Sequence, residues 1–121
     1  MDELIERLVT KYRIERGVAE KSVGIMLDFL RKEGPTEKVD ALLAEMPGAS
    51  AMAETGSKDE GGTLFGMGGI MGAANRLIAA GLSMGQVQSV AQEFLKFARE
   101  KAGEDRIGEI VGAVPGLSQF A

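Results

Sequence analysis

Cysteine and histidine are both missing from this 121-residue chain. Their absence removes disulfides, thiolate nucleophiles, the usual zinc and transition-metal ligands and every Ser-His or Cys-His arrangement. Acid/base chemistry would have to run on Asp, Glu, Lys or the single tyrosine, Tyr12. A basic patch is missing as well: residues 1–50 carry 8 basic and 10 acidic groups, residues 51–121 carry 6 and 8, and the net charge is −4. Neither portion offers a surface for phosphates, so no nucleic-acid partner is expected. The start, Met-Asp-Glu, lacks the charged opening and apolar run of a signal peptide, which leaves a cytoplasmic location as the expectation. No segment alternates well enough to read as a strand.

What is present is a sequence that says one thing twice. The stretch Ile14 to Ser50 returns 68 positions later as Leu82 to Ser118, without a gap. Gly17 meets Gly85, Leu27 meets Leu95, Phe29 meets Phe97, Arg31 meets Arg99, and Pro47-Gly48 meets Pro115-Gly116. After one deletion the match continues upstream, with Arg7-Leu8-Val9 on Arg76-Leu77-Ile78. A duplicated helical unit is the framework. At this length, two half-cores sharing one interface make better sense than two independent domains. The expectation is one all-α domain over 1–121, with about six helices in two pseudo-symmetric three-helix repeats, about 2–50 and 73–118.

Periodicity places the helices. Leu4, Ile5, Leu8, Val9 and Tyr12 form one buried stripe on a first helix from about Asp2 to Tyr12, matched by Ala73, Ala74, Leu77 and Ile78. The second helix begins near Glu15 and its counterpart at Ser83, where Ser83 and Gln86 have the capping-box spacing and Leu82 can staple onto Val87. Ala19, Val23, Met26 and Leu30 correspond to Val87, Ala91, Phe94 and Ala98, with Phe29 and Phe97 adding a second edge. Third helices carry Val39, Leu42, Leu43 and Met46 against Ile107, Ile110, Val111 and Val114. Each should stop at its Pro-Gly, because proline disfavours helical geometry in the residue before it and glycine accepts the left-handed turn after it.

Glycine, at 17 residues, is about twice its usual share. The excess is local. Residues 48–62 are rich in Gly, Ala, Ser and charge without sustained periodicity and read as a mobile linker. A Gly/Met-rich insertion follows at about 61–72, absent from the first copy, and is expected to lengthen the fourth helix by about two turns despite the helix cost of glycine. Its Gly66-x-Gly68-Gly69 run lacks the strand, the βαβ unit and the third glycine of a dinucleotide loop, and no Gly-Lys-Ser/Thr ending exists. No cofactor or metal is expected. The spacing of four in Gly62/Gly66, Gly68/Gly72 and Gly81/Gly85 is the small-xxx-small arrangement that lets helices approach closely. Asn75 and Arg76 and the glycine content argue against a membrane span.

The acidic residues form no catalytic pair: Glu37 and Glu104-Asp105 fall in first helical turns, and Arg31 and Arg99 in last turns, where the helix dipole favours each. Arg7 and Arg76 read as a solvated face or an ion pair within one unit.

The residues Glu3-Leu4-Ile5, Gly17-Val18-Ala19-Glu20-Lys21-Ser22-Val23, Leu27 to Gly34 and Met46-Pro47-Gly48 resemble the small all-helical bacterial domain-of-unknown-function proteins with Leu-Pro or Leu-Pro-Gly helix ends, including the YidB-like group. The resemblance implies a bacterial cytoplasmic helical domain and carries no catalytic residues. The first thirty residues also look like the opening helical pair of HU-type nucleoid proteins, without the basic β-arms that family uses on DNA.

The expected function is therefore a non-enzymatic helical interaction or self-association module, forming a homodimer or binding a protein partner through Leu64, Phe65, Met67, Gly68, Ile70, Met71 and Gly72. The alternative is a carrier or sensor of a small apolar ligand, held in a cavity between the halves lined by Met26, Met71, Phe94 and Phe97.

Overall fold

The computed structural model describes residues 2–46, 48–58, 69–114 and 116–120. They form seven α-helices, with no strand among the described residues: α1 (Asp2–Tyr12), α2 (Arg16–Glu33), α3 (Thr36–Glu45), α4 (Ala49–Lys58), α5 (Gly69–Ala80), α6 (Met84–Ala102) and α7 (Glu104–Ala113). A 3₁₀ turn, Leu117–Phe120, closes the chain. The all-helical class follows from the 3.6-residue apolar spacing, and the bounds recur at the offset read in the sequence. Both α2 and α6 start 68 residues apart, and α3 and α7 match at both ends.

The local signals act as expected at the second helices' starts and the third helices' ends. Gln86 N donates to Ser83 Oγ at 3.2 Å and Ser83 N donates to Gln86 Oε1 at 3.0 Å, satisfying two otherwise orphan donors. Beyond the third helices, Gly48 and Gly116 take left-handed φ values of 87° and 85°. Between α2 and α3 the chain turns so tightly at Gly34 that a Cβ there would sit 2.8 Å from Leu30 O and from Val39 Cγ2.

One core runs through the molecule. Leu4, Ile5 and Leu8 of α1, the α2 and α6 sets, and the third-helix residues Val39, Leu42, Leu43, Met46, Ile107, Ile110, Val111 and Val114 are all buried in it. The central element is α2, which touches α1, α3, α4, α5 and α6. The first helices cross over: α1 packs on α6 as well as on α2, and α5 packs on α2 as well as on α6.

Three expectations need correction. The stretch assigned to a mobile linker, 48–62, contains α4 over Ala49–Lys58, and α4 packs along α2 with Ala49 and Ala53 wholly buried. Alanines four apart make a small buried face that lets helix backbones approach closely, yet they contribute little to an apolar periodicity. About six helices thus become seven. The buried stripe drawn through Ile78 is also too wide: Ala73 and Leu77 are buried, but Ile78 is 39% exposed. Finally, Gly81 and Gly85 are not on one helix, since Gly81 ends the α5 turn at φ 123° and Gly85 lies in α6, so their spacing of four makes no packing stripe.

Candidate functional site

Three places concentrate chemistry. The first is a clamp between α1 and α6. Glu93, only 3% exposed, accepts from Lys11 Nζ at 3.1 Å, Tyr12 Oη at 3.2 Å and Arg7 Nη1 at 3.4 Å. Arg7 also grips Glu100 with two contacts of 2.8 Å, reaches Glu3 at 2.9 Å and lies over the Phe97 ring. Burial pushes the Glu93 carboxyl up, but Lys11 and Tyr12 outweigh it and hold it below the ordinary carboxylate range. Burial and the Glu93 charge push Tyr12 up, and the hydrogen bond to Glu100 pushes Arg7 up despite desolvation. Glu93 and Arg7 are thus held charged and Tyr12 is held as the neutral phenol, which suits a fixed electrostatic joint and not a proton-transfer pair.

The second place is the equivalent crossing of α5 on α2. Arg76 is 5% exposed and pairs with the buried Asp28 at 2.9 Å, while Lys32 reaches the same carboxylate oxygen at 3.1 Å. The reading of Arg7 and Arg76 as a solvated face or a pair within one unit holds in part at Arg7, which pairs with Glu3 on its own helix, and is corrected at Arg76. Each arginine reaches across to the second helix of the other copy: Arg76 to position 28 of α2, Arg7 to positions 93 and 100 of α6, which are positions 25 and 32 plus the offset of 68. Positions 25, 28 and 32 share one helical stripe. Among the described residues, every buried side-chain nitrogen and oxygen has a partner.

The third place is the pair of turns leading into α2 and α6, where a pocket of about 340 Å³ is lined by Arg13, Ile14, Glu15, Val18, Gly81, Leu82 and Gln86. Six of these seven are three pairs at the offset: Arg13 with Gly81, Ile14 with Leu82, and Val18 with Gln86. A Cβ on Gly81 would meet Val18 Cγ2 at 3.4 Å, so the two turns approach closely.

The residues expected to form an interaction surface are not brought together as one. Leu64, Phe65, Met67 and Gly68 lie outside the described residues, as does the side chain of Ile70. Met71 is 60% exposed, whereas Gly72 is buried one residue on, on another side of α5. The expected ligand lining also separates: Met26, Phe94 and Phe97 are closed in the core while Met71 points outward, so the four do not line one cavity. One feature escaped the sequence reading. Arg13 takes a left-handed φ of 54°, the position at which the second copy has glycine, and that mismatch in the repeat was the available signal. Met84 is 69% exposed, where the first copy has Arg16.

No helix among the described residues is long and apolar enough to cross a membrane. In comparison with known proteins, the chain matches no family model, no curated protein and no solved structure.

Proposed function

We propose that this chain is a duplicated helical domain, two three-helix copies related by a pseudo-twofold axis, that works as a non-enzymatic self-association module. The recurrence of helix bounds, the reciprocal crossings of α1 onto α6 and α5 onto α2, and the paired lining of the pocket support the pseudo-symmetric arrangement. The resemblance to small YidB-like helical proteins fits it, since that likeness carries no catalytic residues.

One observation carries the functional reading. In the first copy, Arg16 ties the ends of α1 and α2 together through Asp2 at 3.9 Å, Glu6 at 2.9 Å and Glu20 at 3.5 Å, all on an exposed face. The equivalent positions in the second copy are Met71, Asn75, Met84 and Gln88, with Ile78 in place of Val9. An ion-paired face has become an uncharged one, and the large hydrophobics Met71, Ile78 and Met84 stand exposed on it at 60%, 39% and 69%. Methionine enrichment with loss of charge is the composition of an interface centre. The partner is a second copy of this chain: the amide of exposed Gln88 acts as both donor and acceptor, so a methionine face bordered by it is complementary to itself across a twofold axis.

The experiment restores the first copy's charges with Met71→Asp and Met84→Arg. Sedimentation of the wild-type chain should show a concentration-dependent dimer, and the double variant should be monomeric with a melting temperature within a degree or two, because exposed substitutions cost about 0.5 kcal/mol or less. A wild-type protein that stays monomeric at high concentration ends this reading.

A further inference from the structure

The pocket between the two turns is lined by none of the clamp residues and by none of the exposed hydrophobics of the proposed dimer face. Its volume of about 340 Å³ is at the lower end of the range of small-molecule sites, roughly 300–1,000 Å³. The floor is aliphatic: Ile14 and Leu82 are each 4% exposed, and Val18 is half-buried beside them. Two opposite charges stand at its rim. Neither the Arg13 nor the Glu15 side chain has a hydrogen-bond or ion-pair partner among the described residues, although the Glu15 backbone carbonyl accepts from Ala19 N at 2.8 Å. Gln86 spends its carbonyl oxygen on the Ser83 backbone, which leaves its amide N–H groups for other use.

Arg13 is held in a conformation that favours glycine, the only non-glycine residue described with positive φ. Its equivalent, Gly81, shows that the fold accepts glycine in this turn. A strained arginine kept at such a position points to work for its side chain. A guanidinium offers a planar fork matched to a carboxylate, and Glu15 offers a carboxylate matched to an ammonium. Together they add no net charge, so they favour a ligand bearing one charge of each sign over a simple anion or cation.

We propose that this pocket binds a small zwitterion with an aliphatic body, of the α-amino acid class: its carboxylate on Arg13, its ammonium on Glu15, and its side chain against Ile14, Val18 and Leu82. The site draws residues from both copies of the repeat, and its lining shares none of the methionines of the proposed dimer face.

The test titrates the full chain with L-leucine and follows backbone amide resonances. Saturable shifts are expected at Val18, Gly81, Leu82 and Gln86, with no shifts from glycine, which lacks the apolar body. Arg13→Gly should abolish binding while keeping or raising the melting temperature, because glycine relieves the turn. Glu15→Gln should weaken leucine by at least about tenfold, the effect of losing one charge-assisted hydrogen bond. N-acetyl-leucine, which has no ammonium, should instead bind the Glu15→Gln variant more tightly than the wild type. The Met71→Asp/Met84→Arg variant should bind leucine like the wild type, which separates this site from the dimer face. Leucine that moves none of the four amides, an Arg13→Gly variant that binds unchanged, or glycine that binds as tightly as leucine would each overturn the proposal.

Discussion

Helices α2 and α6 begin at equivalent positions and bury equivalent apolar residues, yet they live in different surroundings. From Ser22 to Leu30 every residue of α2 is buried, including Gly24 and Asp28. On α6 the matching positions Gln92 and Lys96 are exposed. Helix α4 packs along α2, and Arg76 of α5 reaches Asp28 there, whereas the stretch after α7 contributes the 3₁₀ turn. A charge on that stripe therefore has opposite meanings in the two copies. On α2 the carboxylate of Asp28 needs Arg76 and Lys32 beside it, because an unpaired charge in the interior is costly. On α6, Lys96 is exposed and its charge acts on Glu93 and Glu100. The lesson is that a repeated pattern fixes which residues face the shared core, while what packs against the remaining face decides what that face must be.

The sharpest way to break this comparison is at the crossing arginines. Arg76→Met leaves Asp28 buried with one fewer cation and should cost about 3–5 kcal/mol, most of it recovered when Asp28→Leu is added, since a well-packed apolar pair replaces a buried ionic one at little net cost. Arg7→Met, at the equivalent position, should cost about 1 kcal/mol or less, because Arg7 is 25% exposed and Glu93 keeps Lys11 and Tyr12. Denaturant unfolding of the two variants gives the ratio directly. Equal losses would mean that the two crossings are not environmentally distinct.

Deleting a matched core residue from each copy should come next. Leu42→Ala and Ile110→Ala remove side chains that are 0% and 1% exposed, and each should cost about 2–5 kcal/mol. If either variant melts like the wild type, that third helix is not packed on the core. The contrast between the two second helices has its own pair: Gly24→Leu, in the buried stretch of α2, should cost about 1–3 kcal/mol by overpacking, and Gln92→Leu, its exposed equivalent, should stay within about 0.5 kcal/mol.

The smallest effect is pH dependence. Glu93 is held low against the opposing effect of burial, chiefly by Lys11, and Glu100 and Glu109 are held low by hydrogen bonds to Arg7 and Lys38. A carboxyl lowered on folding adds stability in full above its unfolded value, near 4.5, and loses it as the pH falls through the lowered folded value. Melting temperature should therefore decline through the acid range, and Glu93→Gln should flatten that decline. A wild-type melting temperature independent of pH below that point would show that the clamp does not hold α1 on α6.

Much of the fold was legible along the chain. Spacing alone identified Val39, Leu42, Leu43 and Met46 with their partners Ile107, Ile110, Val111 and Val114 as buried faces, Ser83 with Gln86 as a cap, and Gly48 and Gly116 as left-handed stops. Each of these is set within one helix or one turn, by backbone geometry and by the period of the apolar residues. The proposed dimer face was legible only in part: the methionines stood out, but Met71 and Met84 acquire their meaning through the ion pairs that stand at their positions in the first copy.

Other features depended on contacts between distant parts of the chain. That α4 is a helix at all rests on alanines, whose burial against α2 no apolar pattern announces. Arg76 meets Asp28 across 48 positions and Arg7 meets Glu93 across 86, and the pocket joins turns 68 residues apart. Local sequence thus determined where the helices lie, how they end and which side of each seeks the core, because those preferences are paid within a few residues. Only the tertiary structure decided which charges are buried, which methionines remain outside and what the two turns enclose, because burial is a property of what packs on top.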